Sequence, residues 1–475
     1  MAEAAAAFDP ARAPGIAGTL AGFAHDLADD AIPAEVRDRA AHLILDAVGI
    51  ALASSRRDFA KAALSGLDAL GDRGEVAVIG MGRRRSARDA AVLNGILCHG
   101  LDFDDTHLAG IVHGTACCFP AAWSAALLTG ATGRELLTAY VVGIETASRL
   151  GAVARGAFHQ VGFHPTSVCG AFGAALAAGR LFGLDEHQLH MAQGIVLSQA
   201  AGSFEFLEDG AWTKRFHPGW AAASGLTAAA LAKGGYIGAS AVYEGRFGLF
   251  RSHLGPLVER CDLDLATAGL GEVFEVMNVA VKPYPACHFT HGCLDAASAL
   301  HGEGLDPAAI RGVTALVPAD VVSTVCEPLP NKRRPRNAYD AQFSIPYQVA
   351  ATLLRGRFTL DELDDASLAD PAILELAARI GYAADPATTF PKHYTGELIV
   401  ELAEGRSRRH RVPVNRGAPD RPLANDEIGQ KFMTTATQAL SPADAEDLAA
   451  ALTALDRTAG LEPLARRLAG PLAGI

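Results

Sequence analysis

Aromatic side chains are scarce in this chain: only 7% of its 475 residues are Phe, Trp or Tyr, although half are hydrophobic and 49 are glycine. The apolar content therefore rests on small residues, which implies helices packed closely with little side chain between them. Cysteine is sparse and irregularly spaced, and Cys117 and Cys118 are adjacent. That argues against a disulfide framework and leaves buried free thiols as the expectation. Cys287 and Cys293 lack the further spaced partners that an iron–sulfur cluster needs. No run of eighteen apolar residues occurs, so no membrane span is expected. Residues 1–9 have neither the basic start nor the apolar core of a secretion signal, so a cytoplasmic location is expected. Positive charge is also short. A net charge of −12 disfavours nucleic acid or an anionic membrane as a partner.

What is present is mostly helical periodicity. The length suits a large core and two domains. From Ile16 to about Leu270 the chain reads as helix after helix, including Ser86–Cys98 with Ser86 as N-cap, Cys117–Leu128, and helices opening at Pro33, Thr132, Pro165, Leu184 and Gly219. Gly170-Ala-Phe-Gly is read as a close helix contact, because no strand precedes it as a phosphate loop requires. Around Asn278 the texture changes. Asn278–Lys282, Gly312–Pro318 and a hairpin turning at Glu404-Gly405 read as strands, with helices at Phe343–Leu354 and Asp370–Ile380 between them. The expectation is a helical domain over residues 1–270, an α+β domain over 271–404, and a segment 405–475 that returns to the helical domain.

The chemistry concentrates at one break between apolar helices. Within His99–His113 lie Asp102, Asp104, Asp105 and the histidines His99, His107 and His113. Ionisable groups at such a break are costly unless paired or used. No His-x-x-x-His or Cys-x-x-Cys accompanies them, so no metal is expected. Four more clusters follow: His164 at a helix mouth, Lys214, Arg215 and His217 in a turn ahead of the Gly219 helix, Lys282 with His288 and His291, and Lys332–Arg336 followed by Tyr339. Each has a plainer reading as a cap, a solvated turn or an exposed loop. Together, basic clusters recurring at helix starts in an acidic protein would suit a substrate with two or three carboxylates.

His99–Thr106, Gly162–Thr166, Lys214–Gly219, Glu244–Gly248, Lys282–His291 and Asp340–Tyr347, in that order, resemble the motifs of the MmgE/PrpD family, which includes 2-methylcitrate dehydratase, cis-aconitate decarboxylase and iminodisuccinate epimerase. The resemblance implies a mainly α fold, with a large all-helical domain and a smaller α+β lid domain. It further implies a homodimer, and a site free of metal and cofactor that moves a proton next to a carboxylate of a small di- or tricarboxylate. Carried over by residue, the catalytic candidates are Asp102, His113, His164, Lys214 and Lys282, with His113 or His164 as the general acid or base. The candidate substrate contacts are Thr106, His107, Arg215, His217, His288, His291 and Tyr339. Two departures stand out. The animal decarboxylases have a histidine where this chain has Cys287, and the dehydratases lack the Phe204–Trp212 stretch. A lyase is the expectation; the alternatives are an epimerase, a non-catalytic carboxylate-binding protein and a purely structural helical protein.

Overall fold

The computed structural model describes residues 15–71 and 73–470; the N-terminal stretch read above for a secretion signal lies outside them. Small residues set the packing of the helical layer. The helices Ala87–His99 and Thr213–Lys233 approach so closely that a methyl on Gly95 would overlap Gly219 Cα. A methyl on Gly173 of the helix Pro165–Leu181 would likewise strike the Gly143 carbonyl of Gly133–Val153. Among the described residues, Gly133–Val153 alone is long and apolar enough to cross a membrane, and 94% of its apolar window is buried in the protein. Helix starts follow local capping: Ser86 accepts from Asp89 N–H, and Thr132 and Asp185 each close a capping box, with Glu135 and Gln188.

Two large hydrophobic cores form among the described residues. One joins the helices from residue 17 onward with the C-terminal helices Asn425–Ala436, Pro442–Thr453 and Glu462–Ala469. The buried pair Lys431–Asp46, at 2.8 Å, ties the last part of the chain to the helix Ala34–Ser54. The second core lies under a four-stranded sheet ordered Ile380–Ala384, Ile310–Val317, Gly396–Leu402, Ser407–Val412. The first pair is parallel and the other two are antiparallel. The fold is thus a large helical domain with a smaller α+β domain.

Local details differ from the sequence expectation. A short hairpin, Val76–Val78 with Arg83–Arg85, interrupts the helical run; three-residue strands carry too little periodicity to register. Val279–Ala280 does not join the four-stranded sheet but pairs with Thr106–His107. The helix expected to reach Ile380 stops at Ala377, and Ile380 begins a strand against Val313. Lys214, Arg215 and His217 sit inside the helix Thr213–Lys233, not in a turn ahead of it, with Pro218 also inside. Proline forfeits one helical hydrogen bond, but the close glycine contact with Ala87–His99 holds this first turn and a half in place.

Candidate active site

The site is built around the loop between the helices Ala87–His99 and Thr115–Thr129. Two non-glycine residues there take left-handed backbone, Asp102 at φ 49° and Ile111 at φ 54°. Such positions cost about 1–3 kcal/mol each and persist only where surroundings enforce them. For Asp102 the enforcement is ionic. Lys282 Nζ donates to its Oδ1 at 2.7 Å and to its carbonyl at 2.9 Å, and Lys214 Nζ donates to Oδ2 at 2.9 Å. Burial would raise the Asp102 pKa, but the two ammonium groups outweigh it and hold the carboxyl well below its ordinary range. Burial likewise works against charge on Lys282, and Asp102 and Asp104 more than restore it.

Behind this triad three imidazoles converge, with ring centroids 4.8 Å (His99–His113), 5.7 Å (His99–His164) and 5.8 Å (His113–His164) apart. Their tautomers follow from their partners. His113 Nδ1 lies 2.7 Å from the Asp105 carbonyl, which can only accept, so Nδ1 carries the proton and Nε2 is the free nitrogen. His99 Nδ1 lies 2.7 Å from Asp104 Oδ2. Asp104 is held far into its ionised form, burial being outweighed by His99 and His113. His164 Nδ1 meets His217 Nδ1 at 3.1 Å, so one proton serves both. Burial lowers the pKa of His99, His113 and His164, the last two strongly. Ring nitrogens of these three lie within 4.8 Å of one another, as do ligand atoms of His99, Asp102 and Asp104. Either set has donors that suit a divalent metal, a possibility the sequence spacing did not signal.

A narrow cavity opens beside this cluster. Of the sequence candidates, Asp102, Thr106, His113, His164, Lys214 and His288 line it. Thr106 Oγ1 lies 3.3 Å from His113 Nδ1. His288 Nε2 accepts from Asn415 Nδ2 at 2.8 Å, which leaves Nδ1–H without a partner among the described residues. The other candidates lie outside the lining. Lys282 is sealed beneath Asp102, and His217 backs His164. His107 bonds Glu275 at 2.9 Å and takes the Gly110 N–H, closing its own turn. His291 bonds the Ala286 carbonyl at 3.2 Å. Arg215 donates to the Gly100 carbonyl, and its guanidinium lies between the rings of Phe59 and Tyr339. In the Lys332–Arg336 run, Lys332 donates to the Thr324 carbonyl, Arg333 to the Ile380 carbonyl, and Arg336 to Asp340 and the Glu208 carbonyl.

Sequence reasoning passed over several lining residues. His159 precedes the Gly162–Thr166 motif, and burial together with Lys214 pushes its pKa down to about 3. Its only signal was proximity to His164. Cys287, noted above as a departure, lines the cavity, as does Thr324. The remaining wall is apolar: Phe204, Phe206, Leu207, Phe289 and Phe343, closed by Ile111 and Tyr394.

Known proteins match this chain in sequence along most of its length. The signature of the MmgE/PrpD N-terminal domain matches residues 18–258, and that of the MmgE/PrpD C-terminal domain matches residues 284–457. A cis-aconitate decarboxylase-like protein of Aspergillus oryzae is 28% identical over 96% of this chain and 98% of its own. A cis-aconitate decarboxylase of Aspergillus terreus is 27% identical over 96% of each chain. The human cis-aconitate decarboxylase is 30% identical over 80% of this chain and 79% of its own. Two domain signatures in order, with relatives aligned across nearly the whole length, lead to one conclusion: the chain belongs to the MmgE/PrpD family.

Proposed function

We propose that this protein is a lyase that removes carbon dioxide from a small di- or tricarboxylate, with His113 delivering the proton that replaces it. The observation that carries the reading is His113 itself: its Nδ1–H is fixed on the Asp105 carbonyl, and it lines a cavity in which Lys214 is the one lining lysine among the described residues. Lys214, with Thr106 and the His288 Nδ1–H, would hold one carboxylate by charge-assisted and neutral hydrogen bonds. A second carboxylate then meets the phenylalanine wall, where loss of hydration disfavours the charged group relative to neutral CO₂. As the C–CO₂ bond breaks, its electron pair remains on carbon, conjugated with the carboxylate on Lys214. His113, having taken a proton from solvent on Nε2, gives it to that carbon and returns to the neutral form. Asp104 and Asp102 steady the transient imidazolium electrostatically. The reading calls on no cofactor.

The decarboxylase names of the relatives support a carboxy-lyase over a hydro-lyase or an epimerase. A homodimer is also proposed. It is supported by an exposed aromatic strip on one helix, where Trp212 is 51% exposed and Phe216 and Trp220, each 41% exposed, stack on one another. Proton NMR in D₂O with cis-aconitate, 2-methylcitrate, citrate and iminodisuccinate tests the chemistry. The proposal expects a product one carboxylate shorter carrying one new C–D bond. Dehydration without loss of carbon, or deuterium at a stereocentre with every carboxylate retained, would replace it with the hydro-lyase or the epimerase; stoichiometric binding with no reaction would favour a binding protein.

A further inference from the structure

Four histidines line the cavity among the described residues, and three of them have a ring nitrogen engaged by the protein: His113 on the Asp105 carbonyl, His164 on His217 and His288 on Asn415. His159 differs. Its Nδ1 is buried and meets no hydrogen-bond partner among the described residues. The ring packs instead on two phenylalanines of the wall, Phe204 at 4.8 Å and Phe289 at 5.8 Å between centroids. It arrives there on the short helix Ala157–Gln160, whose N-cap Gly156 takes left-handed backbone at φ 82°.

A ring nitrogen left without a partner among phenyl rings costs free energy that a phenylalanine in its place would not. Packing therefore does not account for a histidine at this position, whereas a polar ligand group does. Burial and the Lys214 ammonium push the pKa of the ring down to about 3 and keep it neutral, so it offers one N–H and one lone pair. A carboxylate, which can only accept, takes the N–H. Among the described residues Lys214 is the one lysine or arginine in the lining, and a carboxylate at the wall beyond its reach has this imidazole to turn to.

We propose that His159 is a substrate-binding residue, donating a hydrogen bond to the carboxylate seated on the phenylalanine wall. The inference rests on the carboxylate reading above and names the partner of the group that leaves. A neutral donor orients this carboxylate without supplying the positive charge that would hold it in its ionised form. When the C–CO₂ bond breaks, the electron pair stays on carbon as above, and CO₂, a poorer acceptor, is released from the ring. Loss of the bond should therefore raise KM more than it lowers kcat.

Two variants separate this role from packing. His159→Phe keeps the ring and removes both nitrogens, whereas His159→Asn gives up the ring and restores an N–H near the Nδ1 position. The probe is tricarballylate, a saturated tricarboxylate with no double bond to take up the electron pair of a departing carboxylate, titrated calorimetrically into the full chain. Affinity should fall about ten- to a hundredfold in His159→Phe and stay within about threefold of wild type in His159→Asn. His159→Phe should also melt no lower than wild type, because it removes a buried nitrogen without a partner. The reverse order, with His159→Phe binding like wild type and His159→Asn binding weakly, makes the ring a packing element and overturns the inference while the carboxylate reading stands. Equal loss in both variants, or loss in neither, overturns it as well. If wild type itself does not bind tricarballylate, the carboxylate reading falls and the inference with it.

Discussion

Asp102 and Lys282 form a sealed ion pair, Oδ1 to Nζ at 2.7 Å, with both side chains at most 1% exposed and the aspartate backbone in the left-handed region. Lys214 completes the triad from another helix, so one carboxylate holds together the loop, the domain junction and the cavity wall.

Asp102→Asn tests that junction. Asparagine tolerates left-handed backbone, so the substitution removes charge without adding strain and leaves two buried ammonium groups facing an amide. Breaking a buried pair in this way costs about 3–5 kcal/mol. Thermal melting should show a large drop; a melting temperature within experimental error of wild type would mean that the triad does not hold the loop.

The two lysines should separate in kinetics. Lys214 lines the cavity and Lys282 does not. Lys214→Met leaves Asp102 paired with Lys282 and should raise KM while lowering the melting temperature less than Lys282→Met, which should act on stability first. If Lys282→Met alone raised KM while leaving stability intact, the positions of the two would have to be exchanged in the account.

Asp105 predicts a pH-dependent stability. Burial and then Asp104 raise its pKa to about 7, against hydrogen bonds from Thr115. The folded state therefore keeps a proton that the unfolded state releases near pH 4, and stability falls as pH rises from about 4 to about 7 by up to roughly 1.4 kcal/mol per unit. Asp105→Asn should flatten this slope and melt higher than wild type at pH 8. A slope unaltered by the substitution would assign the dependence to another group, such as Glu145, which burial also raises to about 7.

Activity should favour mild acid. Burial lowers the His113 pKa, with Asp104 opposing, and a proton donor works only when protonated. Hence kcat/KM should climb as pH falls from 8 through 6.5, with the inflection on the acidic side of the ordinary histidine value of about 6.5. A rate that instead rises with pH over this range would make His113 a base, as dehydration or epimerisation requires.

Part of this was legible in the chain because the relevant residues break a pattern. Asp102, Thr106 and His113 interrupt apolar helices, and His164 opens one behind a proline, so chemistry there stands out against packing. The phenylalanine wall has no such contrast. Phe204, Phe289 and Phe343 come from separate segments, and a phenylalanine facing a cavity has the same neighbours in sequence as one facing a core. Charge misled in the other direction. Arg215, Lys332 and Arg336 read as an anion site, but aromatic rings, carbonyl groups and Asp340 claim them, and those partners emerge only with the fold. His107 reads as a site residue only through its neighbours in sequence, while its partner Glu275 lies far along the chain.

The most direct test of the account is turnover in D₂O by His113→Gln beside wild type, followed by proton NMR, with substrate affinity measured calorimetrically on the same preparations. The account predicts that affinity is retained while formation of the deuterated, decarboxylated product slows by roughly 10²–10⁴-fold, the usual worth of acid–base catalysis. Product formed by the variant at close to the wild-type rate would contradict it and move the proton transfer to another residue of the cluster.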